Sequence, residues 1–244
     1  MGLGVLFAKL FVRGFTLTRL FQIVGVFAAL MMTGKRTLFL IPVMGLIVFA
    51  LFFSKKHKIS IALGLSFVLV ASLTIADSLI PQVSLVLDRL FADNGDPLSG
   101  RQVIWTYAMQ MFEASPLIGR GFLSFNAYIN AQGFRYYGLL WSYQAHNVYL
   151  QLLAELGIAG LLLFVVLLST LVYGLIRSFL SWKDMQGLEP VILLTAVYWI
   201  ILIAVYSLTG NTIYYSCQFV VLGICIAIYQ TFNKKALQKN GTTC

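Results

Sequence analysis

This sequence predicts an all-α, polytopic transmembrane helical bundle, and three observations carry that reading. Of its 244 residues, 60% are hydrophobic and only 10% are charged, against about 25% charged in a soluble domain. Apolar runs recur along the chain, and runs of about 20 residues are long enough to cross roughly 30 Å of hydrocarbon. Lys and Arg collect in short segments between those runs, as cytoplasmic anchors do. A β-barrel would show short alternating segments instead.

Residues 1–19, MGLGVLFAKLFVRGFTLTR, set Lys9, Arg13 and Arg19 among apolar side chains. That pattern predicts an amphipathic segment on the cytoplasmic face of a membrane. No small-x-small cleavage site follows the first apolar run, so no removed signal peptide is expected. Residues 20–75 hold three predicted spans, at about 20–33, 37–53 and 59–75. The first is short for a crossing. The second ends at the lysine-rich SKKHK run, Ser54 to Lys58, a cytoplasmic anchor to which His57 belongs.

A long non-cytoplasmic loop is predicted over residues 76–145. Within it, SGRQVIWTYAMQMFEASP reads as a helix capped by Ser99 and stopped near Pro116. Val103, Ile104, Tyr107, Ala108 and Met111 form its apolar stripe. Gly119-Arg120-Gly121 reads as a turn. The aromatic run FRYYGLLWSY, residues 134–143, suits a membrane-interface belt or a platform for stacking sugars. Residues 146–231 hold spans four to six, at about 146–175, 190–208 and 212–229, with the turn Thr209-Gly210-Asn211 between the last two. Residues 232–244 form a cytoplasmic tail with Lys234, Lys235 and Lys239. Six spans place both termini in the cytoplasm.

The net charge of +9 is not a nucleic-acid signature, because 11 of the 17 Lys and Arg fall in the predicted cytoplasmic segments. The other six are Lys35, Arg36, Arg89, Arg101, Arg120 and Arg135. Five of these are Arg, whereas the cytoplasmic set is mostly Lys. Arg makes bidentate contacts to phosphate, so this bias on the side where anchors are disfavoured points to an anion site. The three cysteines show neither metal-ligand spacing nor a disulfide framework. No carboxylate pair, Ser-His-Asp order or phosphate-cradling glycine loop is present. That argues against a metal-assisted reaction of a nucleotide sugar and favours a donor carried by a membrane lipid.

His146 opens the fourth span, in its first helical turn. A helix N-terminus disfavours imidazolium, which keeps the ring neutral and basic near pH 7, as a general base requires. Asn147 beside it can orient a ligand hydroxyl or cap the helix. Arg36 opens the second span with Leu40 one turn on, at headgroup depth for a lipid-linked phosphate. Arg101 and Arg120 lie in the loop. Glu155 is an ionisable residue inside a span, and such residues are candidates for function or pairing. Nine residues at about 100° each put it on the opposite helix face from His146. Gly157 and Gly160 are expected to permit close helix packing.

These residues resemble the O-antigen ligase/O-antigen polymerase superfamily, in its C-terminal half. The family pattern is His, then Asn, Ser or Gln, nine residues, Gly, two residues, then Gly, Thr or Tyr. His146-Asn147, Gly157 and Gly160 match it in full. The Arg-x-x-x-Leu motif matches Arg36 and Leu40, and the segments SGRQVIW and SPLIGRGF supply Arg101 and Arg120. The resemblance covers roughly residues 25–230, and the two motifs in order are more specific than either alone.

The resemblance implies a metal-independent, inverting glycosyltransferase of the bacterial inner membrane, without a cofactor, working on the periplasmic side. Its donor is a glycan on undecaprenyl diphosphate. A ligase passes the glycan to a hydroxyl of lipid A-core, and a polymerase passes it to another lipid-linked repeat unit. Arg36, Arg101 and Arg120 would hold the diphosphate, His146 would activate the acceptor hydroxyl, and Asn147, Gly157 and Gly160 would support the site. Family members usually have about twice as many spans, so the chain reads as a fragment lacking an N-terminal half, a divergent short form, or half of a split enzyme whose lipid groove a partner chain completes. The alternative outside the enzyme class is a non-catalytic membrane protein, either transporter-like or a truncated remnant. The isolated glycines of the spans argue against a transporter, whose spans would be broken near mid-membrane.

Overall fold

The computed structural model describes residues 2–14, 16–31, 101–133, 144–182, 187–210 and 214–239. The regular elements among them are helices: α1 (Gly2–Arg13), α2 (Leu17–Met31), α3 (Arg101–Ala114), α4 (Ser124–Ala131), α5 (Val148–Trp182), α6 (Glu189–Tyr206) and α7 (Ser216–Lys239). Val148–Trp182, Glu189–Tyr206 and Ser216–Lys235 are long and apolar enough to cross a membrane. They correspond to the fourth, fifth and sixth expected spans. Helix α2 falls on the first expected span with 15 residues, a rise of about 22 Å, which is less than the hydrocarbon thickness. The second and third expected spans, Arg36, Ser99 and the aromatic run 134–143 lie outside the described residues.

The chain divides into two compact units. The first comprises Met1–Asn94, Leu171–Leu202 and Val221–Cys244. In it, α1 buries Leu3, Phe7, Ala8, Leu10 and Phe11. Phe7 meets the ring of Tyr198 on α6 edge-on, with centroids 5.7 Å apart. Gly4 allows this approach, since a Cβ there would lie 2.6 Å from Tyr198 Cδ1. The apolar stripe of α1 is therefore packed against protein. Helix α6 is apolar on every face and buried along most of its length, as expected of a helix enclosed by others. Helix α5 runs through both units, and its Leu162, Leu163, Val166 and Tyr173 are exposed, which is the pattern of a lipid-facing helix.

The second unit comprises Gly95–Thr170 and Ile203–Val220. Its core joins Ala108 and Met111 of α3, Phe125 and Ile129 of α4, and Ala145 and Ala154, with Ile104 and Tyr107 packed against them. The stripe expected on α3 is thus in place except for Val103 at its edge, which is exposed.

Helix α5 is not continuous. Gly157 takes φ 64° and ψ −165°, a conformation essentially restricted to glycine. The break leaves the amides of Ile158 and Ala159 and the carbonyl of Glu155 without helical partners, and each is satisfied by the segment between α3 and α4. Ile158 N donates to Pro116 O at 2.9 Å, Ala159 N donates to Leu117 O at 3.1 Å, and Gly121 N donates to Glu155 O at 2.8 Å. Unpaired backbone groups are costly near hydrocarbon, so this pairing is what permits the kink. The segment 115–123 acts as a strap across it. Gly119, at φ +66°, lies so close that a Cβ would strike the Glu155 carbonyl.

Candidate functional site

The site belongs to the second unit, where the strap and the segment before α5 meet the first turns of that helix. His146 lies outside the helix, not in its first turn as expected. Its φ is 51°, a left-handed conformation that is uncommon away from glycine and marks a residue held by its surroundings. Asn147 is the N-cap: its Oδ1 accepts from Leu150 N at 3.2 Å, and its carbonyl accepts from Gln151 N at 3.0 Å. An asparagine in that role satisfies one of the amides that a helix start leaves open.

The backbone beside His146 is tied on both sides. Trp105 Nε1 donates to Ala145 O at 2.8 Å. Ala145 N donates to Gln151 Oε1 at 3.0 Å, and Val148 N donates to Ser207 O at 2.8 Å. The left-handed turn at His146 is thereby pinned to α3, to α5 and to the end of α6.

His146 is exposed over part of its surface. Partial burial lowers its pKa below the ordinary value of 6.5, and the Arg101 guanidinium lowers it further. The direction is the one expected from the sequence, but the cause is desolvation and a neighbouring cation, not the helix terminus. Arg101 is half-buried at the start of α3, and its charge also reaches Tyr206, which stands in turn beside Tyr215. A neutral imidazole within the field of a guanidinium can accept a proton while the cation stabilises developing negative charge.

Arg120 is placed differently. It is exposed on the strap with its guanidinium 5.2 Å from the Tyr128 ring centroid, an ordinary cation–π distance. The structure thus sets Arg101 beside His146 and leaves Arg120 at the level of the kink.

Glu155 is 1% exposed, and among the described residues its carboxylate is met by four neutral donors. Phe125 N and Gln151 Nε2 donate to Oε1 at 3.2 and 3.1 Å. Leu123 N and the Tyr214 hydroxyl donate to Oε2 at 3.0 and 2.5 Å. Gln151 Nε2 also donates to the Tyr214 oxygen at 2.8 Å. Burial raises the Tyr214 pKa, and the hydrogen bond and charge of Glu155 raise it further, so the phenol keeps its proton. Leu123, at the start of α4, makes no side-chain cap of its own. The Glu155 carboxylate supplies that cap from another element and sits at the positive end of the α4 dipole.

Two readings of the sequence are corrected here. Glu155 was expected on the helix face away from His146, but that geometry assumed a helix running through His146. With His146 outside the helix, Gln151 connects Glu155 to the backbone of Ala145. Gly157 and Gly160 were expected to admit a neighbouring helix. Gly157 instead admits the strap, since a Cβ there would lie 2.5 Å from the Leu117 carbonyl carbon. A Cβ on Gly160 would strike Leu156 of the preceding turn, folded inward by the kink. Gln151 and Tyr214 are residues that sequence reasoning did not single out. Gln151 could have been found, because it lies one turn from Glu155 in an apolar helix. Tyr214 carried no comparable signal.

A family model described as O-Antigen ligase matches residues 21–165. A stretch of 108 residues is 28% identical to the exopolysaccharide production protein ExoQ of Rhizobium meliloti (strain 1021). That stretch covers 41% of this chain and 23% of ExoQ, so the match spans less than a quarter of the relative's length. The family match includes His146, Asn147, Gly157 and Gly160 and extends over more than half of the sequence: the chain belongs to the O-Antigen ligase family.

Proposed function

We propose that this membrane protein transfers a glycan from undecaprenyl diphosphate to a sugar hydroxyl of lipid A-core, on the periplasmic face of the bacterial inner membrane. Both termini are then cytoplasmic. The observation that carries the reading is the pairing of His146 with Arg101 at the head of an apolar helix, in a chain of this family. The acceptor oxygen attacks the anomeric carbon as the bond to the diphosphate breaks, inverting the configuration. His146 takes the hydroxyl proton. Arg101, together with Arg36 and Arg120, stabilises the charge on the departing diphosphate.

One observation favours a second reading. The similarity to an exopolysaccharide production protein supports a polymerase that extends a lipid-linked glycan by another repeat unit. Reconstitution of the chain with an undecaprenyl-diphosphate glycan and both acceptors tests the two together. Transfer that disappears in His146→Ala supports the mechanism, and the acceptor consumed separates ligase from polymerase. Wild-type rates from His146→Ala would refute the role given to the histidine.

A further inference from the structure

The mechanism above leaves Glu155 unused, although its carboxylate is buried and accepts four hydrogen bonds. Its contacts lead in two directions. One arm runs through Leu123 N and Phe125 N, which end the strap bearing Arg120 and begin α4. The other runs through Gln151, whose Nε2 donates to Glu155 while its Oε1 accepts from Ala145 N, one residue before His146. Tyr214 closes the network by donating to Glu155 and accepting from Gln151.

The two arms share a further feature. Leu123 and His146 are the non-glycine residues with positive φ among the described residues, at 67° and 51°. Left-handed backbone at such residues costs about 1–2 kcal/mol each and persists only where neighbouring groups hold it. In each case a hydrogen bond from the Glu155–Gln151 pair reaches the strained residue or its neighbour.

We propose that Glu155 is a positioning residue, a buried carboxylate that holds the Arg120 strap and the His146 turn in one fixed arrangement through Leu123, Phe125 and Gln151. This rests on the reading of His146 and Arg120 as site residues. The chemistry explains the choice of a carboxylate. Each oxygen accepts from two donors, so an amide at this position would turn its NH2 group toward two other donors.

The test uses the full chain in detergent and two readouts that do not depend on transfer. Diethylpyrocarbonate labelling of His146, followed by mass spectrometry across pH, reports whether the ring keeps its partial burial and its place beside Arg101. Trypsin cleavage after Arg120 reports whether the strap is held. Glu155→Gln is expected to raise the half-maximal labelling pH toward that of an ordinary histidine and to speed cleavage after Arg120 about tenfold, the effect of losing roughly 1.4 kcal/mol of local protection. Gln151→Leu cuts only one arm, so it moves the labelling pH and leaves the cleavage rate near wild type. A Glu155→Gln protein that stays folded with both readouts unchanged overturns the proposal. If that variant does not fold, Gln151→Leu decides: a shift in both readouts or in neither overturns it. Absence of transfer in the wild type would count against the glycosyltransferase reading and leave these readouts intact.

Discussion

The amide of Ile158 donates to the carbonyl of Pro116 across 2.9 Å, a bond that exists only because Gly157 has turned out of the helix. Replacing Gly157 by Ala forces a Cβ into the ε region of backbone space, 2.5 Å from the Leu117 carbonyl carbon. Strain of this kind costs about 1–3 kcal/mol before the collision is counted. Gly157→Ala is expected to lower the thermal midpoint sharply. Gly223→Ala, on α7 with nothing within 4 Å of its new Cβ, should be neutral or stabilising by up to about 1 kcal/mol. Equal midpoints for the two variants would contradict the strained kink.

If His146 is the base in the proposed transfer, the pH dependence of that transfer follows from its titration. Its pKa is depressed below 6.5, first by burial and then by Arg101, so the basic form survives as pH falls through the ordinary histidine range. The acidic limb of kcat/KM is therefore expected below pH 6.5. Arg101→Gln removes a charge that penalises imidazolium and so moves the limb to higher pH. Because burial is the larger cause and remains, the limb should still lie below 6.5. A limb that moves to lower pH would contradict the assigned proximity.

Tyr214→Phe removes the donor to Glu155 Oε2 and the acceptor for Gln151. Leaving such buried groups unmatched costs about 1–3 kcal/mol. A fall in thermal midpoint is expected, with the far-ultraviolet helical signal preserved at low temperature. An unchanged midpoint would mean that the hydroxyl is replaced by water without loss.

In the first unit, Gly4→Leu should release α1. The new side chain would meet Tyr198 Cδ1 and Trp199 Nε1, which already lie 2.6 and 2.9 Å from the position of a Cβ. Limited trypsin digestion checks this at Lys9 and Arg13, which should be cut several-fold faster than in the wild type. Wild-type resistance would show that α1 accommodates the change by sliding.

Much of this was legible in the sequence because it is locally encoded. The spans now seen as α5, α6 and α7 follow from hydropathy, α3 from the stripe ending near Pro116, and the strap's turn from Gly119 and Gly121. Asn147 reads as a cap from its type and place. The kink at Gly157 was not legible, since a lone glycine in an apolar run reads equally well as a packing surface. The helix was started two residues too early, at His146, for the same kind of reason, because hydropathy marks where an apolar run starts and not where the backbone becomes helical. The Glu155 network needed Tyr214, 59 residues away, and the strap, 32 residues away. No local periodicity reports such pairings.

The kink also sets a depth scale. The residues from Ile158 to Trp182 rise about 37 Å as a helix, enough to cross the hydrocarbon alone. The nine residues from Val148 to Leu156 are then a pedestal that carries His146 roughly 15 Å beyond the start of the crossing. The strap, bonded at Ile158 and Ala159, marks the bilayer end of that pedestal, and Arg101 with His146 marks the far end. Under the proposed function, a lipid-borne substrate rising along this side of the protein would meet the Arg120 guanidinium first and the imidazole last. On that proposal, length of reach, and not only chemical identity, would be a criterion by which the protein selects what it acts on.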